Sequence, residues 1–214
     1  MIKKKIAIID YGIGNVKSIL NALDNFNAET ILTNKPEDIL NADGVILPGV
    51  GAFKTGMENL IAHDLIPVIK QYVKTGKPFL GICLGMQLLL DESEEFGNTK
   101  GLGLIKGKVK KLVIDETTNE RLPHVSWNEI KEPEKNRWQN SILENVQQFS
   151  DVYFVHSFAA APSTEADILA TCNYGNKDFC AAVKKENVFG VQFHPEKSGK
   201  TGLAILKKFI DLIK

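Results

Sequence analysis

The sequence is poor in the residues that define several large protein classes. Its 214 residues include only three cysteines, at positions 83, 172 and 180. Their odd number and wide spacing fit neither a disulfide framework nor a zinc-binding pattern, so we expect no metal site. Neither charge sign is in excess, because 26 basic residues balance 26 acidic ones. Without a basic surplus we expect no nucleic-acid partner, and the weak long-range repulsion favours association with another protein chain.

Long apolar runs are also missing. The apolar stretch at residues 6–9 ends at Asp10, which makes it too short for the hydrophobic region of a signal peptide. No stretch approaches the roughly 18 apolar residues of a membrane-spanning helix. We therefore expect a cytoplasmic protein without membrane contact. The chain has no internal repeat, low-complexity tract or linker, so we expect residues 1–214 to form one domain.

The first half of the sequence alternates short apolar runs with helical patterns. The apolar runs predict strands at residues 6–9, 30–32, 44–47 and 79–82, and helical patterns begin near residue 16, at residue 36 and over residues 57–74. Strands that are apolar on both faces and alternate with helices are typical of a mostly parallel sheet with helices on both faces. In such sheets, ligands bind beyond the carboxyl ends of the strands.

The second half is rich in predicted strands. Short segments separated by Asn, Gly, Asp and Pro predict strands at residues 106–114, 153–158, 168–172, 179–183 and 188–193. An amphipathic pattern over residues 203–213 then predicts a helix. We therefore expect an α/β fold in which a β-rich second half completes the central sheet. Cys172 and Cys180 fall in two of these strands, where we expect them to be packed rather than reactive.

The sharpest local signal is the sequence Gly-Ile-Cys-Leu-Gly at residues 81–85. It has the form of a nucleophile elbow, in which a strand turns abruptly into a helix. The glycines leave room for the crowded backbone of the turn. We expect the elbow to project the Cys83 thiol into solvent at the carboxyl edge of the sheet, at a helix N-terminus that favours the thiolate. A plainer alternative is a small, buried hydrophobic residue.

A second signal is the sequence Phe-His-Pro-Glu at residues 193–196. On an extended segment, residues two apart point the same way, so His194 and Glu196 can lie on one side of the chain. A carboxylate that orients an imidazole is the arrangement a cysteine hydrolase needs for general base and acid catalysis. The plainer alternative is a surface His-Pro-Glu turn.

A third signal follows the predicted strand at residues 44–47. The segment 48–53 reads Pro-Gly-Val-Gly-Ala-Phe, and its glycines allow backbone N–H groups to approach an oxyanion. Taken alone, the segment could equally be a tight turn. The three signals together, each placed after a strand, indicate a cysteine-dependent hydrolytic site.

These segments resemble the class I (triad) glutamine amidotransferases, and the resemblance runs over essentially the whole chain. A narrower resemblance is to the glutaminase subunits of imidazole glycerol phosphate synthase, the HisH family. The segments that carry the narrower resemblance are residues 10–15, 48–53, 81–87, 123–128, 153–157 and 192–198.

The resemblance implies a role for particular residues. The implied catalytic residues are Cys83 as nucleophile, His194 as base and acid, and Glu196 as the group that orients His194. The implied oxyanion donors are backbone N–H groups of Val50, Gly51 and Leu84, and the implied substrate contacts are Gln87, Ser157 and Phe158. It also implies that the loop at Val50 reorients before the oxyanion hole is complete. No cofactor is implied.

The resemblance further implies a partner. The family's partner is a (β/α)₈ cyclase, HisF, which forms a heterodimer with the glutaminase and uses its ammonia to make imidazole glycerol phosphate and an aminoimidazole carboxamide ribotide (AICAR) in histidine biosynthesis. The positions that match the family interface are Asn15, Trp127, Tyr153 and Lys197. From the residues alone, these side chains have plainer explanations, such as a helix N-cap, a packed aromatic ring or a solvated charge.

One position departs from the family pattern and leaves alternatives open. Ser126 stands where the family usually has glycine. Some bacteria carry a HisH-like paralogue that supplies ammonia for amidation of a surface-polysaccharide sugar, which is one alternative. Alternatives of other classes are a cysteine peptidase or γ-glutamyl hydrolase on the same scaffold, and a non-catalytic binding module.

His124 and His156 could suggest a metal site with His194, but no acidic or thiolate ligands are spaced to join them.

Overall fold

The computed structural model describes residues 3–213, whose strands form one continuous sheet. The strands are β1 (Lys4–Ile9), β2 (Ala28–Thr33), β3 (Gly44–Leu47), β4 (Phe79–Ile82), β5 (Glu92–Ser93), β6 (Thr99–Lys100), β7 (Gly107–Lys111), β8 (His124–Lys131), β9 (Ser150–His156), β10 (Phe158–Pro162), β11 (Ile168–Tyr174), β12 (Lys177–Lys185) and β13 (Val188–Val191). The helices are α1 (Val16–Leu23), α2 (Pro36–Asn41), α3 (Phe53–Ala62), α4 (Leu65–Val73), α5 (Leu84–Leu88) and α6 (Gly199–Asp211). Two 3₁₀ turns span Glu165–Asp167 and Pro195–Lys197.

The sheet is parallel at its centre and antiparallel in its second half. Strands β2, β1, β3, β4 and β13 lie side by side in this order, and every neighbouring pair among them is parallel. Beyond β13 the sheet continues through β12, β10 and β7 in antiparallel pairs, while β11, β8 and β9 branch from β12. The predicted α/β class, with its parallel central sheet and β-rich second half, is confirmed.

Two hydrophobic cores lie on opposite faces of the sheet. In β1, Ile6 and Ile8 contribute to one core while Ala7 and Ile9 contribute to the other, because successive side chains of a strand point to opposite faces. Residues of α1 and α6 cover the first core, and residues of α2, α3, α4 and α5 cover the second. The predicted helices on both faces are therefore confirmed. Cys172 and Cys180 are buried, each in one of the two cores, as the strand pattern predicts.

Two predicted elements are each divided in the structure, and some strands were not predicted. The helix predicted over residues 57–74 is two helices, α3 and α4, because Asp64 adopts a left-handed conformation with φ of 53° between them. The strand predicted over residues 153–158 is also two, because Ser157 interrupts it between β9 and β10. Strand β8 was not predicted, although it pairs with β9 along its length, and neither were the short strands β5 and β6. Within residues 3–213, no helix is both long and apolar enough to cross a membrane.

Candidate active site

Cys83 occupies a strained turn between β4 and α5. Its φ of 53° and ψ of −110° are unusual for a residue with a side chain. A Cβ atom on Gly85 would lie 1.9 Å from the carbonyl oxygen of Leu47, and one on Gly81 would lie 2.6 Å from the carbonyl oxygen of Gly85. Both glycines are therefore required by backbone crowding. The predicted elbow geometry is confirmed.

The thiol does not project into bulk solvent, contrary to the prediction. Cys83 is only 6% exposed, because the loop after β3 and the β9–β10 junction close over the elbow. It opens into a cavity of about 230 Å³. The cavity is lined by Val50, Gly51, Cys83, Leu84, Gln87, Glu95, Val155, His156, Ser157 and Phe158. The structure thus brings together the predicted nucleophile and all the residues predicted to form the oxyanion hole and bind substrate.

His194 and Glu196 form a buried pair. Nδ1 of His194 lies 2.8 Å from Oε1 of Glu196, and their side chains are 3% and 1% exposed. The segment is not extended, contrary to the prediction, because Pro195–Lys197 forms a 3₁₀ turn that brings the carboxylate back to the ring. The carbonyl oxygen of His194 accepts a hydrogen bond from the Ser198 hydroxyl, 2.7 Å away, which ties both ends of the turn together.

Helix α6 and strand β9 hold this turn in place. A Cβ atom on Gly202 would lie 1.8 Å from the carbonyl oxygen of Pro195, so the start of α6 packs directly on the turn. The Ser198 hydroxyl also accepts a hydrogen bond from the Tyr153 N–H, and the His194 N–H donates to the Tyr153 carbonyl oxygen. The imidazole is therefore positioned by two elements that flank it.

The surroundings of His194 favour its protonated form. Burial alone would lower its pKa, but the neighbouring Cys83 and the hydrogen-bonded carboxylate of Glu196 outweigh burial and raise the pKa of His194 to about 10. Among the described residues, Nε2 of His194 has no hydrogen-bond partner of ordinary geometry, and it is buried. The side of the ring away from Glu196 is thus available to the Cys83 sulfur. This thiol–imidazole–carboxylate line is the arrangement of a cysteine hydrolase.

The loop after β3 is held close to the elbow. The Tyr11 hydroxyl donates to the carbonyl oxygen of Pro48 across 2.6 Å, and burial, together with the charge of Cys83, raises the pKa of Tyr11. The Leu84 N–H, a predicted oxyanion donor, donates to the carbonyl oxygen of Gly49 across 3.3 Å. Gly51 has a φ of 99°, and Val50 is 40% exposed. The loop therefore occupies one of the predicted donors in this conformation.

Gln87 belongs to a buried line of amide groups that leads to the thiol. Its Nε2 donates to the carbonyl oxygen of Phe158 at 2.8 Å and to Oε1 of Gln192 at 3.0 Å. Nε2 of Gln192 in turn lies 3.8 Å from the Cys83 sulfur. Gln192 was not predicted to have a role, although its position two residues before His194 was a signal that could have identified it.

Glu95 is a second residue of the site that was not predicted from the sequence. Its carboxylate accepts a hydrogen bond of 2.7 Å from the Phe53 N–H at the start of α3, and it lines the cavity. It is the one acidic residue among the cavity-lining residues of the described chain. No local sequence pattern distinguishes it from the neighbouring acidic residues at positions 92 and 94, because only the fold brings it to the cavity.

Three of the four residues predicted at a partner interface form one group on the surface. Trp127 and Tyr153 are paired across β8 and β9, with ring centroids 5.9 Å apart, and Nζ of Lys197 lies 5.8 Å from the centre of the Tyr153 ring. Trp127 is 52% exposed, so it is not the packed core ring of the plainer explanation. Asn15 precedes α1, which contacts the Pro195–Lys197 turn, and its side chain makes no capping hydrogen bond.

Comparisons with known proteins agree with this geometry. Residues 7–212 match the model of the family described as glutamine amidotransferase class-I. Two solved structures, a glutamine amidotransferase and PurLQS from Thermotoga maritima, each superpose with a TM-score of 0.72. The first is 17% identical over 97% of this chain and 98% of that one, and the second is 18% identical over 100% of both. At these identities, the two structures support the fold alone.

Several curated relatives are considerably more similar in sequence. The imidazole glycerol phosphate synthase subunit HisH 1 of Legionella pneumophila (strain Lens) is 45% identical over 97% of this chain and 99% of that protein. The HisH subunit of Methanosarcina barkeri is 46% identical over 98% and 99%, and that of Bacillus cereus (strain G9842) is 47% identical over 95% and 93%. The chain therefore belongs to the class I glutamine amidotransferases and, within them, to the HisH family.

Proposed function

We propose that this chain is the glutaminase subunit of an imidazole glycerol phosphate synthase, which hydrolyses L-glutamine to glutamate and passes the ammonia to a cyclase. The observation that carries the proposal is that Cys83 opens into the cavity while the buried His194–Glu196 pair lies beside it, in a chain 44–47% identical to HisH subunits over nearly its whole length. We assign the catalytic roles to these three residues.

The reaction begins with proton transfer from the Cys83 thiol to Nε2 of His194. The raised pKa of His194 favours this transfer, and Glu196 holds the resulting imidazolium. The thiolate attacks the side-chain amide carbon of glutamine, and backbone N–H groups stabilise the oxyanion of the tetrahedral intermediate. His194 then protonates the leaving nitrogen, so that ammonia departs and a glutamyl thioester remains. Water, deprotonated by His194, hydrolyses the thioester to glutamate and restores the thiol.

The cavity offers complementary groups for the rest of the substrate. Both amide hydrogens of Gln87 are used within the protein, so its Oε1 is left as an acceptor for a substrate N–H group. The carboxylate of Glu95 would pair with the α-ammonium group of glutamine, because opposite charges attract strongly in an enclosed site. Main-chain groups at Ser157 and Phe158 also line the cavity and would contact the substrate.

We assign the oxyanion hole to the backbone N–H groups of Leu84 and of the Val50–Gly51 segment. The Leu84 N–H must exchange the Gly49 carbonyl for the substrate oxygen, so the loop has to shift before catalysis. A shift of this kind would couple hydrolysis to a partner that contacts the loop or the neighbouring surface. Such coupling prevents glutamine from being consumed when no acceptor is present.

The partner that we propose is a HisF-like (β/α)₈ cyclase, bound as a heterodimer through the surface at Asn15, Trp127, Tyr153 and Lys197. An exposed tryptophan beside a half-buried tyrosine is typical of interface centres. Ammonia released into water would be mostly protonated and no longer nucleophilic, which is the chemical reason for a docked synthase. The cyclase would use the ammonia to form imidazole glycerol phosphate and the aminoimidazole carboxamide ribotide.

We further propose that residues 1–214 act as one domain in the cytoplasm, without a cofactor.

The proposal is tested by measuring glutamate production by the chain alone, with a HisF-type cyclase, and with the cyclase plus its ribonucleotide ligand. We expect low activity alone and strong stimulation in the full mixture. Cys83→Ala should abolish glutamine-dependent turnover of the complex and leave ammonia-dependent turnover intact. Unchanged glutaminase activity in this variant would overturn the catalytic assignment. Failure of any HisF-type cyclase to bind, together with binding to a sugar amidotransferase, would instead redirect the choice of partner.

A further inference from the structure

Two buried histidines next to the cavity have no part in the mechanism above. His124 and His156 face each other across β8 and β9, and Nδ1 of His124 lies 3.0 Å from Nε2 of His156. His124 is wholly buried, and His156 is 6% exposed and lines the cavity. Burying two polar rings is costly unless both are hydrogen-bonded in a definite way.

Aromatic side chains surround both rings, and burial among them favours the neutral form of each imidazole. The His124 ring stacks between those of Phe154 and Tyr174, at centroid distances of 4.9 and 3.9 Å, and Phe179 lies 5.0 Å from the His156 ring. Burial lowers the pKa of His124, and burial above all, together with the repulsion between His156 and a protonated His124 or His194, lowers the pKa of His156 to about 3. A neutral imidazole has one nitrogen that donates and one that accepts, so each ring must hold one of two tautomers.

The carbonyl oxygen of Phe158 decides which tautomer His156 holds. This oxygen lies 2.9 Å from Nδ1 of His156 and can only accept a hydrogen bond, so Nδ1 carries the hydrogen. Nε2 of His156 is then an acceptor, which requires a hydrogen on Nδ1 of His124. By the same reasoning, Nε2 of His124 is an acceptor and needs a donor of its own.

Two side chains of β8 can supply that donor. Nε2 of His124 lies 3.0 Å from Oγ of Ser126 and 2.8 Å from the end of the Asn128 side chain. The Asn128 atom at that place is the amide oxygen, but turning the amide by half a revolution exchanges oxygen and nitrogen without moving the side chain. The turn gives up only a long contact of 3.5 Å between the Asn128 nitrogen and the carbonyl oxygen of Asn173. With the nitrogen towards His124, either the amide or the Ser126 hydroxyl can donate to the single lone pair of Nε2.

We propose that a line of hydrogen bonds with one fixed direction, running from Asn128 through the two histidines to the carbonyl of Phe158, orients the Gln87 amide in the glutamine site. The carbonyl oxygen of Phe158 is the meeting point, because it accepts from both His156 and Gln87. The inference rests on the proposed function only in naming the ligand of the cavity. His124 and His156 are positioning residues, since neither carries out a step of the reaction.

If every hydrogen bond in this line ran in the opposite direction, the position of the Gln87 amide would be disturbed. Nδ1 of His156 would then become an acceptor facing the lone pairs of the Phe158 carbonyl, and the two would repel. The Phe158 peptide or the ring would have to move, and Gln87 would lose the partner that holds its amide at 2.8 Å. The acceptor that Gln87 presents to the substrate would no longer be fixed.

The direction of the line is tested by NMR of the full chain with isotope-labelled histidine nitrogens. The long-range couplings of each ring distinguish a hydrogen on Nδ1 from one on Nε2, and the chain has only four histidines to assign. We expect both His124 and His156 to carry the hydrogen on Nδ1. A hydrogen on Nε2 of either ring, or a charged ring at neutral pH, would overturn the proposal. This measurement does not depend on glutaminase activity.

The effect on the site is tested with a diazo-ketone analogue of L-glutamine that alkylates Cys83. His156→Leu removes the donor to Phe158 and should raise the half-saturating concentration of the analogue about tenfold, the effect of losing one hydrogen bond. His156→Asn keeps an N–H group at the position of Nδ1 and should restore much of the affinity. An equal loss in both variants would show that the imidazole matters only for packing and would overturn the proposed role.

The far end of the line is tested with a matched pair on β8. Asn128→Leu removes a donor on the inner face and should weaken binding of the analogue and shift the His124 tautomer. Glu129→Leu changes the outer face of the same strand and should leave both unchanged. If Asn128→Leu alters neither the tautomer nor the affinity, the line does not extend to β8. Complete absence of alkylation in the unmodified chain would contradict the proposed function instead.

Discussion

The Leu84 N–H donates its hydrogen bond to the carbonyl oxygen of Gly49 across 3.3 Å. This is longer than the usual N–H···O distance of about 2.9–3.0 Å, so the bond is weak. The proposed mechanism needs the same N–H for the oxyanion of the tetrahedral intermediate. The Gly49 carbonyl therefore competes with the substrate for the Leu84 N–H, and breaking this weak hydrogen bond costs little free energy.

This relationship predicts that two reactions of Cys83 respond differently to the partner. Acylation by glutamine develops an oxyanion and should be slow in the isolated chain and much faster once the cyclase and its ligand are added. Alkylation by iodoacetamide develops no oxyanion and should change little. Rapid-quench measurement of both rates makes the comparison. Equal stimulation of the two reactions would show that the partner acts on the thiol rather than on the oxyanion hole.

Replacing Glu196 tests how the buried carboxylate supports His194. Glu196→Gln keeps the shape but removes the charge that stabilises the imidazolium, so kcat with glutamine should fall on the order of 10³–10⁴-fold. The KM for glutamine should change much less, because Glu196 does not line the cavity. Steady-state kinetics of the complex would decide, and a large change confined to KM would contradict the role.

The raised pKa of His194 predicts how stability depends on pH. A group with a higher pKa in the folded state binds its proton more tightly there, so its contribution is fully present below the unfolded pKa of about 6.5. That contribution is lost as the pH rises through the folded pKa of about 10. The difference in unfolding free energy between the native chain and His194→Gln should therefore shrink between these two pH values. Denaturant titrations at several pH values measure it, and a constant difference would contradict the prediction.

Two glycines near the elbow should differ sharply in their tolerance of a methyl group. Gly85→Ala places Cβ 1.9 Å from the Leu47 carbonyl oxygen and should destabilise the fold by about 3 kcal/mol or more. Gly51→Ala meets no atom within 4 Å and should cost only the strain of a φ of 99°, about 1–2 kcal/mol. Thermal or denaturant unfolding compares them. Equal costs would show that the elbow backbone can relax.

Gln192 should matter for substrate binding although it does not line the cavity. Gln192→Leu removes the acceptor for the Gln87 amide, so the KM for glutamine should rise about tenfold. Gln139→Leu, a change of the same kind on the exposed surface, is the control and should have no effect. Similar KM values for the two variants would show that Gln87 is held by Phe158 alone.

The parts of the fold that depend on local pattern could be predicted from the sequence. Strands β3 and β4 were predicted with the observed boundaries, because buried parallel strands are continuous apolar runs bounded by turn residues. The elbow was predictable for a similar reason, since only glycine fits beside its crowded backbone. The break at Asp64 was not, because a left-handed aspartate inside an otherwise continuous helical pattern leaves no distinct signal.

The parts that depend on distant contacts could not be predicted. Strand β8 alternates buried and exposed residues but carries polar side chains on both faces, and its inner face includes His124, Ser126 and Asn128. A polar inner face hides the apolar alternation that identifies a strand. Glu95 and Gln192 acquire their positions only when the elbow, the β9–β10 junction and the turn after β13 meet. The contact between His194 and Glu196 was expected, but from an extended segment rather than from the 3₁₀ turn that makes it.

The two buried cysteines give the chain an internal standard for chemical labelling. Burial raises the pKa of Cys172 and Cys180 to about 12, and only the thiolate form of a cysteine is nucleophilic. At neutral pH, a small thiol reagent should therefore consume one equivalent in the intact molecule, at Cys83 in its cavity, and three in the denatured chain. Readings of one and three equivalents therefore identify a preparation that is folded and has a free nucleophile, because unfolded molecules raise the first reading and a blocked Cys83 lowers both.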